Sequence, residues 1–363
     1  MPVPFVDLKL HHSTLKLEIL DAVSRILDSG TFILGPEVEG FEQDFATYLG
    51  VKHVVAVNSG TSALELALRA IGIGPGDEVI TTTMTFVATV TAIVATGAKP
   101  VLADVTQNEW TLDPDGLEKA ITPRTKAVIP VHLHGRPANM QAISRIARQA
   151  GIAVIEDAAQ AHGATIGRQK AGTLGIMGCF SFYPAKNLGA CGEGGAVATN
   201  DDELAGKLRL LRDWGQSQRY RHDMPGCGNF RMDAIQGAIL ALKLRRLDAW
   251  LAARRRLAKK YLMALDGTVG LPLSHPGHAW HVFSVRAKNR DRLRHFLQDR
   301  HIATGCHYPI PAHLQPMFAS LALKAGDFPV SESLADEFLS LPLFPEMTDQ
   351  QCETVIDAIK AYK

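Results

Sequence analysis

From residue 54 onward, short runs of β-branched and other apolar residues alternate with longer stretches in which apolar residues return every three to four positions. The short runs, at 54–57, 78–82, 100–103, 127–131, 153–155, 180–182 and 196–199, predict seven strands. The stretches 62–71, 86–96, 114–121 and 138–150 predict helices, several closed by Gly or by Lys and Arg. Such alternation predicts an α/β fold with one large, mostly parallel seven-stranded sheet covered on both faces. Right-handed crossovers then bring the carboxyl ends of the strands, and their loops, to one edge where chemistry is expected.

The pattern changes at residue 233. Between 233 and 265 there is no proline and, after Gly237, no glycine, while Ile235, Ile239, Leu242, Leu244, Leu247, Leu251, Leu257 and Leu262 recur at roughly helical spacing. One long connecting helix is expected. Beyond it, 281–286 and 303–308 read as strands flanking a helix at 291–299, and 349–361 as a terminal helix. The expected division is a large α/β domain at 1–247 and a smaller C-terminal α+β domain at 248–363. With no repeat, low-complexity tract or flexible linker between them, the two are expected to pack rigidly.

At 363 residues, 46% hydrophobic and 21% charged, the chain can bury a large core. Lys and Arg number 38 against 37 Asp and Glu, so no net field recruits nucleic acid or a membrane, and small polar or anionic metabolites fit better. Cys179, Cys191, Cys227, Cys306 and Cys352 form no Cys-x-x-Cys pair, and their odd number argues against a disulfide framework. The N-terminal residues lack the basic region and apolar run of a signal peptide, and no apolar run is long enough to span a bilayer. Mature protein in a reducing cytoplasm is expected.

Candidate chemistry gathers at the predicted strand ends. After 54–57 comes Asn58-Ser-Gly-Thr-Ser, where Gly60 permits a tight turn and Thr61 and Ser62 open a helix. Free N–H groups and the helix dipole there suit a phosphate, although the same residues serve as ordinary caps. Asp157 follows the apolar pair Val154-Ile155, where a carboxylate can keep a pyridinium nitrogen charged or cap a helix. Glu156 points the other way and reads as structural. Lys186 lies outside any charge run, among small and apolar residues. Burial lowers an amine's pKa and readies it to form a Schiff base, whereas solvation leaves an ordinary loop lysine. Ser181, earlier in the same segment, can reach the same phosphate or satisfy backbone. Phe86 stands between a strand and a helix, where its face can cover a planar ring or join the core. His132 and His134 share a strand face but lack a clear third ligand, so no metal site is expected.

Taken in order, Gly60-Thr61-Ser62, Phe86, Asp157 with Gln160, and Ser181 with Lys186 resemble the DegT/DnrJ family of pyridoxal phosphate sugar aminotransferases. Leu34-Gly-Pro-Glu-Val, Gly72-Ile-Gly-Pro-Gly-Asp-Glu, Gly305-Cys-His-Tyr-Pro and Leu341-Pro-Leu-Phe-Pro extend the likeness over almost the whole chain. The resemblance implies the aspartate aminotransferase-like fold of type I pyridoxal phosphate enzymes. It implies that Lys186 is the Schiff-base lysine and Asp157 the pyridinium partner, with Gln160 beside the phenolic oxygen and Phe86 over the ring. Thr61, Ser62 and Ser181 hold the phosphate, joined by Asn229 from a second subunit, so a homodimer with shared active sites is expected. Tyr183, His307 and Tyr308 match sugar-facing positions, and Arg231 can meet a charged substrate group.

The implied reaction moves an amino group from glutamate to a keto sugar of a nucleoside diphosphate, with the pattern near Asn229 and His307 inclining toward C3. A keto-cyclitol acceptor and a non-catalytic, cofactor-binding regulator are the alternatives. Two motifs depart from relatives: His132-Leu-His-Gly-Arg-Pro, where His-Leu-Tyr-Gly-Gln-Pro is common, and Gly226-Cys-Gly-Asn229, where Gly-Tyr-Asn is common.

Overall fold

All seven expected runs enter one sheet in the computed structural model, which describes residues 2–362. The strands are β1 (His53–Val57), β2 (Glu78–Thr82), β3 (Lys99–Ala103), β4 (Thr125–Ile129), β5 (Ala153–Asp157), β6 (Met177–Ser181) and β7 (Gly195–Thr199), in the spatial order β1-β7-β6-β5-β4-β2-β3. β7 runs antiparallel to both its neighbours and the remaining pairs are parallel. β4 ends before Pro130, two residues short of the predicted run, because proline brings no N–H to the ladder.

Helices cover both faces, as strands without polar alternation require. On one, α1 (Gly60–Ala70) buries Leu64 and Leu68 against Val55, Val57, Ile155, Met177 and Val197. On the other, Phe41 and Phe45 pack with Phe180 and Phe182. Phe41 and Phe45 belong to Pro36–Leu49, which with Leu8–Ser13, Lys16–Ser29 and Pro329–Glu337 forms helices the hydrophobic pattern did not announce. Among the described residues no helix is long and apolar enough to cross a membrane.

The single long helix expected over 233–265 is instead two, α3 (Ala234–Leu244) and α4 (Leu247–Ala264), broken at Arg245 and Arg246. No proline or glycine marks the break; tertiary contacts impose it. Lys243 is fully buried and donates to the Gly189 carbonyl, while Leu240, Leu244, Leu247 and Leu251 all reach the core beneath the sheet. Farther along α4, Leu257, Ala258 and Tyr261 enter a separate core with Phe283, Val285, Leu339 and Leu341.

The expected strand at 303–308 also needs correction. β8 (Phe283–Arg286) pairs antiparallel with β9 (Phe338–Leu341), and segment 303–308 contributes only the Gly305 bridge to Ser340. Pro309 and Pro311 follow and cannot extend a ladder, so the chain turns away with His307 and Tyr308.

At the end of β5, adjacent carboxylates face opposite ways. Glu156, fully buried, accepts from the backbone N–H groups of Gly172 (2.7 Å), Leu174 (2.5 Å) and Gly175 (2.7 Å). His132 Nδ1 accepts from the Ala138 N–H at 3.0 Å, which leaves Nε2 to donate to Glu156 at 2.8 Å. Glu156 thereby ties the loop before β6 to β5 and sets the orientation of the neighbouring Asp157. Replacing it (Glu156→Leu) strands these donors in the interior and should cost about 3–5 kcal/mol of stability. Urea denaturation followed by circular dichroism checks this; an unchanged midpoint would contradict the anchoring role.

Candidate active site

A cavity of about 540 Å³ opens at the carboxyl edge of the sheet, and Gly60, Thr61, Phe86, Asp157, Gln160, Ser181, Tyr183, Lys186, His307 and Tyr308 all line it. Residues remote in sequence meet there because β5, β6, the start of α1 and the start of α2 (Val87–Ala95) converge on that edge.

At one end, Ser59 caps α1, accepting from the Ser62 N–H at 3.1 Å. The N–H groups of Gly60 and Thr61, in the first turn, have no partner within the helix and are available to an anion. Gly60 lies so close to β6 that a Cβ there would stand 2.5 Å from Ser181 Cβ. Only glycine lets the helix end and the Ser181 hydroxyl share one cradle. Ser62 is buried behind that cradle, its hydroxyl 2.9 Å from that of Ser59, and it does not line the cavity; Ser59 does.

Asp157 is the last residue of β5 and is buried. Burial pushes its carboxyl above the usual value, opposed by the Thr89 hydroxyl donating at 2.8 Å, the Ala159 N–H at 3.1 Å and the Lys186 charge. Thr89 belongs to α2 and escaped the sequence reading, since a threonine in a first helical turn carries no signal of its own. Lys186 follows a turn closed by its N–H on the Tyr183 carbonyl at 2.8 Å. Its Nζ donates to no described residue. Desolvation lowers the amine to about 8, with Asp157 pulling the other way.

Gln160 is held at both ends of its amide: its oxygen accepts from the His134 N–H at 2.6 Å and its nitrogen donates to the Tyr308 hydroxyl at 2.9 Å. Burial raises the Tyr308 phenol and lowers the His307 imidazole to about 4. Phe86 and Tyr183 are largely exposed at the mouth, with the Phe86 and Tyr308 rings 5.6 Å apart. Asn229 and Arg231 lie outside this cavity; Arg231 donates to Asn229 Oδ1 at 3.0 Å and pairs with Asp213 at 3.2 Å.

The unusual His134 and Arg136 are also accounted for. His134 Nε2 donates to the His307 carbonyl at 2.9 Å, bracing a cavity wall, and Arg136 pairs with Glu109 at 2.7 Å. His132 is committed to Glu156.

Pyridoxal phosphate brings an aldehyde, a basic ring nitrogen and a phosphate, and the cavity offers a counterpart to each: a lowered amine without a protein partner, a buried carboxylate, and a helix end shaped by Gly60. Comparison with known proteins agrees. Residues 13–360 match the DegT/DnrJ/EryC1/StrS aminotransferase family. The chain is 48% identical to a dTDP-3-amino-3,4,6-trideoxy-alpha-D-glucose transaminase of Streptomyces venezuelae, over 99% of this chain and 96% of that one. Among solved structures, S. venezuelae DesV in complex with a ketimine intermediate superposes with a TM-score of 0.96 at 48% identity, covering 99% of this chain and 98% of DesV. NtdA of Bacillus subtilis, with bound cofactor PMP, gives 0.93 at 33% identity, covering 99% and 84%.

The chain belongs to the DegT/DnrJ/EryC1/StrS aminotransferase family. It is an aminotransferase with the type I fold, and its cofactor is pyridoxal phosphate.

Two outcomes follow from the geometry. Gly60→Ala should weaken pyridoxal phosphate binding about tenfold or more, because the added methyl displaces Ser181; spectrophotometric titration of the apoenzyme measures it, and unchanged affinity would refute the close-approach argument. Apoenzyme should take up pyridoxal phosphate faster as pH rises, levelling off above about 8 as Lys186 loses its proton. Burial lowers this pKa, so the neutral amine appears below the ordinary lysine value of 10.5. An uptake midpoint near that ordinary value would show that burial does not act on Lys186.

Proposed function

We propose that this aminotransferase moves the amino group of glutamate to C3 of a keto sugar carried on a nucleoside diphosphate, producing an amino sugar. The observation that carries the site reading is the Lys186 amine, depressed by burial and claimed by no described residue, in one cavity with Asp157. The name of the S. venezuelae relative, a 3-amino sugar transaminase matched over 99% of this chain, supports the substrate and the carbon.

Pyridoxal phosphate supplies an aldehyde that carries the amino group and a ring that spreads the negative charge left on a reacting carbon. Lys186 Nζ holds the cofactor until an amine displaces it. Once free, the Lys186 amine would take the proton from the donor's α-carbon and pass it to the former aldehyde carbon; in the second half it would take a proton back from that carbon and deliver it to C3 of the sugar, ending each half as it began. Asp157 would pair with the protonated ring nitrogen, and the Thr89 and Ala159 donors favour its ionised form against burial. The Gly60 and Thr61 end of α1, with Ser62 behind it and Ser181 opposite, holds the phosphate. Gln160 stands beside the phenolic oxygen, and Phe86 covers the ring. Tyr183, His307 and Tyr308 face the sugar.

The working unit is a homodimer in which Asn229 and Arg231 of one copy complete the cavity of the other, Asn229 at the phosphate and Arg231 at a charged substrate group. Their place outside their own cavity supports this, as do the exposed apolar side chains Leu17, Leu20, Leu27, Phe32 and Ile33. The chain divides at 247 and 248 into a large and a small domain, in keeping with the two cores that share α4. Five free cysteines favour a reducing setting, the cytoplasm.

Holoenzyme mixed with glutamate should lose its long-wavelength cofactor absorbance and release 2-oxoglutarate. A nucleotide-linked 3-keto sugar should restore the absorbance as the amino sugar forms. Lys186→Ala should abolish both changes. Normal turnover by that variant, or recovery only with keto sugars of another position, would sink the assignment.

A further inference from the structure

The inner wall of the cavity holds a second polar centre that the functions assigned above do not use. Arg254, on α4, lines the cavity and is only 4% exposed. Its Nη1 donates to the backbone carbonyls of Leu343 (2.7 Å), Trp280 (3.3 Å) and His281 (3.4 Å). Its Nε is buried without a partner, and its Nη2 donates to no described residue. No described carboxylate forms an ion pair with it; Glu346, the acid whose field it feels, is bonded instead to His11 at 2.7 Å. A buried cation with no ion pair of its own is costly, and an anionic ligand entering the cavity would supply one.

His281 stands next to it. The residue lines the same cavity, its Nδ1 is buried without a partner, and its own carbonyl is one of those that fix Arg254. Burial, followed by the charges of Lys186 and Arg254, keeps its imidazole neutral. The apolar side chains of Val282, Leu341 and Leu343 line the cavity beside the pair and keep the local dielectric low. The result is one guanidinium edge and one neutral imidazole, a set suited to a single negative charge.

We propose that Arg254, assisted by His281, is the subsite for a carboxylate of the amino donor. This rests on the aminotransferase reading and adds to it the way one cavity serves two unlike substrates in turn. The cofactor phosphate has a cradle of its own at the α1 end, and Asp157 repels a second anion near the ring. A dicarboxylate donor therefore gains a charge-assisted contact at Arg254 that an uncharged sugar ring does not need. An acidic keto sugar is the other source of a carboxylate, and the two half-reactions separate the sources.

The test uses holoenzyme of the wild type and of Arg254→Gln, Arg254→Lys and His281→Gln. Rapid mixing with L-glutamate gives the half-saturating concentration and the limiting rate of the first half-reaction; an uncharged nucleotide-linked keto sugar gives the same for the second. Arg254→Gln should raise the half-saturating glutamate concentration about tenfold or more, change the limiting rate less, and leave the sugar value unmoved. Arg254→Lys should recover part of the loss, and His281→Gln should show a smaller loss of the same kind. Glutarate, a dicarboxylate without an amino group, should compete with glutamate in the wild type and much less in Arg254→Gln.

Unchanged glutamate saturation in a folded Arg254→Gln holoenzyme would overturn the proposal. So would a defect confined to the sugar half-reaction, which assigns the group to the acceptor. If Arg254→Gln does not fold, His281→Gln and glutarate competition in the wild type decide: normal glutamate saturation in the first, or no competition in the second, overturns it. A wild type that does not react with glutamate at all would instead remove the donor reading beneath it.

Discussion

The site depends on two ionisable groups, Asp157 and Lys186, placed in one desolvated cavity so that each moderates the other's burial. Desolvation alone would neutralise both: it raises the carboxyl and lowers the amine. Their mutual attraction works against both effects, and the Thr89 and Ala159 donors oppose the rise at the carboxyl, while desolvation still brings the amine down to about 8. That balance is what an enzyme requires of a residue that must be a nucleophile at one moment and a proton carrier at the next. Much of the surrounding fold serves to maintain it.

The scaffold does so by rigid placement. Asp157 is the last residue of a central strand, and its direction follows from Glu156, which is locked by backbone donors and by His132 on the other side of the sheet. Gly60 allows the end of α1 to touch β6, which brings helix N–H groups and the Ser181 hydroxyl to one point. On the far side, segment 303–308 leaves the β9 edge after one bridge and carries His307 and Tyr308 inward, where His134 and Gln160 fasten them. Residues behind the cavity wall, Glu156, His132 and His134, thus hold polar groups that line it, the usual condition for a precise site.

Arg254 gives the cavity a different kind of electrostatics at its inner end. A guanidinium anchored through three backbone carbonyls cannot swing away. The break between α3 and α4 belongs to the packing. It lets the Leu244 and Leu247 side sit on the large-sheet core while the stretch from Arg254 onward turns to the second core and the cavity wall.

The local sequence determined the seven strands, the turn at Gly60, Asp157 at a strand end and Lys186 in the loop after another strand, because hydrophobic periodicity and short motifs act over a few residues. Glu156 could be read as structural on the same basis, since alternate strand residues face opposite sides. Tertiary structure alone decided what approaches those motifs. Ser59 looked like an ordinary helix cap, Thr89 carried no signal, the chain from 233 to 265 held no proline, and 303–308 had the composition of a strand. Arg254 lay in the expected connecting helix, where nothing local singled it out. At the helix break and at Arg254 the outcome depended on contacts across long sequence separations: a buried lysine reaching Gly189, and a guanidinium enclosed by carbonyls from two other segments. Desolvation and hydrogen bonding at such contacts outweigh local propensity, and neither exists until the chain has folded.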